Sequence, residues 1–297
     1  MRLATIATPD GPRLHVRARS GYVDAAEATG NPRLSSLQYV LEAGLSAMDA
    51  LRPLQDSDGS PVGEADFAPA VPAPPRILCL GLNYSEHALE GGREVPTWPD
   101  AFVRGADAVL GPYADLVKPA LTERFDYEGE LGIVIGPGGR YITAAKALDA
   151  IAGFVVLNDA SARDWQRAGT QWTAGKNFEG SMPIGPEVVT TDEVDVSDLA
   201  ISSVLNGRVM QSARTSQMLV DVPSAVEFFS SFTRLAPGDV IATGTPGGVG
   251  FARTPPVWMH PGDVIEVTVE GIGTIRNRIV AEAGAPGDWR WHPGAPR

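Results

Sequence analysis

Two hydrophobic periods run through the chain, and they divide it unevenly. Leu37, Val40, Leu41, Leu45 and Met48 recur at helical spacing, which predicts one amphipathic helix from Ser36 to Leu51, closed before Pro53. Ahead of it, Arg2 to Ala7 and His15 to Ala18 read as short strands around the turn Thr8-Pro9-Asp10-Gly11-Pro12. Periodicity is lost over Gln55 to Pro75, where Ala68-Pro69-Ala70-Val71-Pro72-Ala73-Pro74-Pro75 forms a stiff extended stretch. A boundary is placed there, giving a small N-terminal α/β unit over 1–70 and a main domain over 71–297.

Beyond the boundary the pattern becomes strand and turn. Arg76 to Leu82, Leu131 to Ile135, Phe154 to Leu157, Ile201 to Leu205, Val240 to Thr243, Val264 to Val269 and Ile275 to Ile279 are the expected strands. Short helices are expected at Tyr84 to Glu90 and near Pro223 to Thr233, and a third at Ala144 to Ala152, with Thr143 as N-cap and Gly153 as C-cap. Pro237-Gly238-Asp239-Val240-Ile241 recurs as Pro261-Gly262-Asp263-Val264-Ile265, which reads as one turn used twice to launch a strand. With 33 Gly and 25 Pro against few helices, the fold class is a β-rich α+β sandwich or roll.

Charge narrows the function classes. The net charge of −12 disfavours a sequence-blind nucleic-acid binder or a binder of anionic membranes, since both require a positive field. The longest apolar run, Ala150 to Leu157, is too short to span a bilayer, and the first seven residues are too short for a signal segment, so a cytoplasmic location is the default expectation. Cys79 is the single cysteine and lies in the apolar run Ile77-Leu78-Cys79-Leu80, so it reads as a buried structural thiol.

Five segments could carry chemistry. Asp126, Glu128 and Glu130 alternate in an extended stretch and would share one face, either as a solvated acidic edge or as hard oxygen ligands for Mg²⁺, Mn²⁺ or Ca²⁺. Asp159 follows the strand ending at Leu157, as a helix cap or a further ligand, and Arg163 and Gln166 lie three apart behind it. His87 and Glu90 are helical neighbours, which makes either a surface ion pair or a carboxylate-oriented general base. Lys176 follows Gly175 in a polar, aromatic loop, either exposed or aimed at developing negative charge. The glycine-rich Thr243-Gly244-Thr245-Pro246-Gly247-Gly248 lets backbone N–H groups approach a ligand but is not a P-loop.

In order, Gly81-Leu82-Asn83-Tyr84-Ser85-Glu86-His87, Asp126-Tyr127-Glu128-Gly129-Glu130-Leu131, Asn158-Asp159-Ala160-Ser161-Ala162-Arg163-Asp164, Gly175-Lys176 and Pro237 to Pro246 resemble the fumarylacetoacetate hydrolase superfamily over about residues 76 to 282. The resemblance implies a mixed β-sandwich roll, a homodimer, and Mg²⁺ or Mn²⁺ (with Ca²⁺ as a substitute) held at Glu128, Glu130 and Asp159. It implies a catalytic set of His87, Glu90 and Lys176, substrate contacts at Arg163, Gln166 and Thr245, and Asp126 as a carboxylate behind the ligands or an occasional fourth one. Its acylpyruvase-like branch carries the His–Glu pair. The activity expected from it is hydrolysis of a C–C bond in a 2,4-dioxo acid, with His87 activating water and Lys176 stabilising the oxyanion. An oxaloacetate-type decarboxylase and a hydroxymuconate-type isomerase are the alternatives within the superfamily. A catalytically silent cation-binding scaffold is a remote one, since it needs none of His87, Glu90 and Lys176. The chain departs from the family at Phe102-Val103-Arg104-Gly105, where relatives carry Phe-Xaa-Lys-Pro, and at Asn177-Phe178-Glu179-Gly180-Ser181 after the lysine.

Overall fold

In the computed structural model, which describes residues 1–284, the apolar runs become strands buried on both faces. Within the strand Gly129–Ile135, Leu131, Ile133 and Ile135 face one core and Val134 faces another; Phe154 and Val156 divide from Val155 and Leu157 in the same way. This two-sided burial explains why these segments read as continuous apolar runs rather than alternating ones.

They sit at the centre of a ten-stranded mixed sheet. Along its path the order is Gly21–Asp24, Gly11–Ala18, Arg2–Thr8, Met182–Thr190, Ile151–Asn158, Gly129–Ile135, Val240–Ala242, Ile77–Gly81 and Asp100–Arg104. A second sheet of five strands runs Arg208–Arg214, Ala200–Leu205, Val264–Val269, Gly273–Ala281 and Leu116–Lys118. Leu131, Ile133, Phe154 and Val156 of the first sheet pack with Ile201, Val267 and Ile275 of the second, and the helix Val222–Phe232 closes this core with Ala225, Val226 and Phe229. The opposite face of the first sheet packs with Leu37, Val40 and Leu41 from the N-terminal helices. The fold is thus a β-rich α+β sandwich with a smaller helical and loop appendage. The strands of the first 24 residues join the large sheet directly, with Arg2 opposite Val189 and Leu3 opposite Val188.

Local expectations fare differently. The Ser36 to Leu51 segment forms two helices, Leu37–Ala43 and Leu45–Leu51, because Gly44 between them adopts φ 67°, a left-handed region that glycine enters at little cost. The helix expected from Ala144 ends at Ala150, Thr143 makes no side-chain cap, and Gly153 lies inside the strand Ile151–Asn158 rather than at a helix end. Its position there is set by sheet pairing with Val134 and Thr190, which overrides local helix propensity. The repeated pentapeptide is one turn used twice. Asp239 accepts the N–H of Ala236 at 2.8 Å and Asp263 that of His260 at 2.7 Å, three residues back in both cases. Cys79 is buried as expected, and burial pushes its thiol up, away from thiolate character. His292, noted in the sequence as part of a Trp-rich tail, lies outside the described residues.

Candidate active and metal site

The sheet register builds the site. Gly129 to Leu131 pair with Asn158 to Val156, so Glu130 stands opposite Leu157, and Asp159 emerges just past the strand end. The Asp159 N–H donates to the Glu128 carbonyl at 2.8 Å, and the Asn158 side-chain oxygen accepts the Glu128 N–H at 2.9 Å. Glu128, Glu130 and Asp159 are all buried, and they bring one carboxylate oxygen each within 4.8 Å of one another.

Asp126 does not join them. The strand is interrupted at Tyr127 and Glu128, so the expected common face is broken. Asp126 instead accepts from Arg163 Nε at 2.9 Å and from the N–H groups of Gly250 and Phe251 at 2.7 and 3.0 Å.

Three buried cations face the carboxylates. Lys176 Nζ donates to Glu128 Oε2 at 2.7 Å and to Asp159 Oδ2. Arg163 Nη1 lies 2.6 Å from Glu128 Oε1 and also donates to Gln166 Oε1 at 3.0 Å. Arg104 bonds Asp159 and Ser181, a role its departure from the family pattern did not disclose. Burial alone would raise Glu128, but Arg163 and Lys176 outweigh it and hold the group below the usual carboxylate range. Glu130 is pushed well above that range by burial and by the charges of Asp159 and Glu128. It accepts the Gly244 N–H at 2.7 Å and has no basic side chain paired to it among the described residues.

This donor set fits a divalent cation. Three hard oxygens converge, and the one without a cationic partner, Glu130, is the one that like charge destabilises. Among the described residues no sulfur or imidazole joins the cluster, which suits an oxygen-seeking ion.

Glu128 and Glu130 line a narrow cleft with about 60 Å³ of water-accessible space, and Asp159 is buried beside them. His87 lines the cleft from the helix Ser85–Glu90, with Nδ1 2.9 Å from Glu90 Oε1. Glu90 is itself held by the Gly248 N–H at 2.7 Å. Because an ionised carboxylate only accepts, Nδ1 is the donor of this pair, and Nε2 is the ring nitrogen left for proton exchange with a ligand. Thr245 also lines the cleft, with its hydroxyl donating to the Gly129 carbonyl at 3.0 Å and accepting from Gln211 at 2.7 Å. Arg163 Nη2 is buried without a partner, a donor left over on the cleft wall.

Lys176 reaches this depth because Gly175 packs on the neighbouring helix. A Cβ at Gly175 would stand 2.3 Å from the Gln166 backbone nitrogen. All nine residues that the sequence singles out for metal, catalysis and substrate are therefore near one another: Glu128 and Glu130 with Lys176, His87, Arg163, Gln166 and Thr245 line the cleft, Glu90 bonds His87, and Asp159 completes the triad. Arg93 and Arg167 also line it and were not singled out, since isolated exposed arginines give no sequence pattern.

Residues 76–280 match the family model described as fumarylacetoacetate (FAA) hydrolase C-terminal. The oxaloacetate tautomerase FAHD2A, mitochondrial, of Bos taurus is 43% identical over 223 residues, covering 74% of this chain and 71% of that protein. The corresponding Fahd2a of Rattus norvegicus, also named a mitochondrial oxaloacetate tautomerase, is 36% identical over 289 residues, covering 94% of this chain and 92% of that one. The solved fumarylacetoacetate hydrolase from Exiguobacterium antarcticum superposes with a TM-score of 0.82 at 32% identity, covering 95% of this chain and 100% of that one. These relatives overturn the cytoplasmic expectation: both tautomerases are named mitochondrial. No helix among the described residues is long and apolar enough to cross a membrane.

Proposed function

The chain belongs to the fumarylacetoacetate hydrolase family, and from that premise we propose that it is an oxaloacetate-type keto–enol tautomerase. Family membership and the buried triad make it a metal-dependent enzyme acting on a 2-oxo or dioxo acid. Relatives named oxaloacetate tautomerase favour the isomerising alternative over the C–C hydrolysis first expected. The observation that carries the reading is the identity of 43% and 36% to relatives named oxaloacetate tautomerase, and the His87–Glu90 pair at 2.9 Å, on the wall of the cleft lined by Glu128 and Glu130, supplies the base it needs.

Glu128, Glu130 and Asp159 would hold Mg²⁺ or Mn²⁺. Bound there, the ion supplies Lewis-acid polarisation of the 2-oxo group. Arg163 offers its unpaired Nη2–H to the adjacent carboxylate. His87 Nε2 removes a proton from C3 of the keto acid, and Glu90 stabilises the imidazolium. The imidazolium then returns that proton to O2, giving the enol with one proton moved and none consumed. Lys176 keeps positive charge beside the oxygen that becomes anionic in between. Gln166 fixes the Arg163 guanidinium, and Thr245 shapes the floor.

The test is the ultraviolet absorbance of enol oxaloacetate, followed with and without Mg²⁺, alongside product analysis of an acylpyruvate. Metal-dependent loss of the enol signal without C–C cleavage supports the tautomerase. Cleavage of the acylpyruvate with no effect on the enol supports the hydrolytic reading, for which the Exiguobacterium structure speaks. The homodimer that the family resemblance implies is proposed for this chain, and sedimentation velocity checks it.

A further inference from the structure

The chain carries a net charge of −12, yet the mouth of the cleft concentrates positive charge. Arg93, Arg163 and Arg167 line the cleft, and Arg124 joins Arg163 and Arg167 in the groove just outside it. Arg163 is neutralised by Asp126 and Glu128. Arg93 and Arg167 are different: among the described residues neither has a carboxylate oxygen within 4.0 Å. Asp100 shares an outer groove with Arg93 and is not paired with it.

Both free guanidiniums are nonetheless braced. Arg167 lies 4.1 Å from the centroid of the Phe251 ring, whose centroid is 4.6 Å from Arg163. Arg93 lies 5.5 Å from the centroid of Trp172. Stacking on a ring leaves the in-plane N–H donors of a guanidinium open to an anion. Burial and the charges of Arg163 and Arg93 lower the basicity of Arg167, and Asp126 only partly offsets them. Like charges held in place by aromatic rings at a cleft mouth attract anions.

We propose that Arg93 and Arg167 form a second anion subsite that receives the distal carboxylate of a dicarboxylic 2-oxo acid, making the enzyme selective for substrates with acid groups at both ends. This rests on the proposed 2-oxo acid chemistry at the triad and adds what that site alone does not supply, a grip on the far end of the substrate. Arg163 takes the carboxylate beside the 2-oxo group, and the two rim arginines take the other. A monocarboxylic 2-oxo acid leaves the rim pair unsatisfied.

The experiment is calorimetry on the Mg²⁺-loaded protein with malate and lactate, two stable acids that share the 2-hydroxy acid head and differ by the distal carboxylate. The wild type is expected to bind malate at least tenfold more tightly than lactate. In Arg93→Met/Arg167→Met that preference falls towards unity while lactate affinity stays unchanged; both side chains are exposed, so the fold is not at risk. Arg167→Lys, which keeps the charge but loses the planar fork, retains part of the preference. Equal binding of the two acids by the wild type, or a preference that survives in the double variant, overturns the subsite while leaving the triad chemistry intact. Binding of neither acid overturns the 2-oxo acid reading itself and the subsite with it.

Discussion

Asp159 donates its backbone N–H to the carbonyl of Glu128 at 2.8 Å, and this bond ties the ends of two neighbouring strands into one ligand platform. Two of the three carboxylates are thereby placed by backbone pairing, and the fold itself keeps the cluster together.

That persistence has a cost, and Glu130→Gln should reveal it. Glu130 is held well above its usual range, so the folded protein keeps its proton where the unfolded chain has lost it. The metal-free protein should therefore lose stability as pH rises above the ordinary carboxylate range. The Gln variant, which can still accept from Gly244, should lose less. Urea unfolding across pH in EDTA measures this, and Mg²⁺ affinity should fall by more than about tenfold in the same variant.

Lys176→Met should separate binding from chemistry. Its ammonium bonds Glu128 and Asp159, two of the three triad carboxylates, so Mg²⁺ affinity should rise when it is removed. The kcat for tautomerisation should fall by about 10²–10³, the usual worth of one oxyanion-stabilising group. Titration calorimetry and steady-state kinetics on one preparation decide both points.

His87→Ala should lower tautomerisation by about 10²–10⁴ and leave Mg²⁺ affinity unchanged, because the imidazole is oriented by Glu90 and belongs to no ligand cluster among the described residues. Glu90→Gln should cost less, since a hydrogen-bond acceptor remains. The double variant should be little worse than His87→Ala, as expected of a pair acting as one unit.

Gly175→Ala tests the backbone beneath Lys176. The added methyl group would meet the Gln166 nitrogen, Cα and Cβ at 2.3 to 2.5 Å, none of them the far end of a flexible side chain. A loss of about 1–3 kcal/mol in stability is expected, together with reduced kcat as Lys176 is displaced. Thermal melts and kinetics on the purified variant check it.

The sequence made some of this legible and hid the rest for physical reasons. Glu128, Glu130 and Asp159 stood out because carboxylates at the ends of buried apolar runs have no packing role. Asp126 fell in the same alternation, but the strand breaks at Tyr127, so it turns to Arg163 and the Gly250 and Phe251 N–H groups. The strand Met182–Thr190 is buried throughout and central to the sheet, yet Pro183, Gly185 and Pro186 interrupt any strand pattern along it. Arg104 was visible as a departure from the family, but its contacts with Asp159 and Ser181 depend on tertiary packing. Arg93 and Arg167 are far apart in the chain, and only the fold brings them to one rim.

The central claim is that this cleft interconverts the keto and enol forms of a 2-oxo acid with a cation held by the triad. Stopped-flow measurement of enol oxaloacetate decay, on protein stripped with EDTA and then reloaded with Mg²⁺, tests it most directly. The account predicts negligible catalysis without metal, full recovery on reloading, and no recovery in Glu130→Gln at the same Mg²⁺ concentration. Equal rates with and without metal, or wild-type recovery in Glu130→Gln, would contradict it.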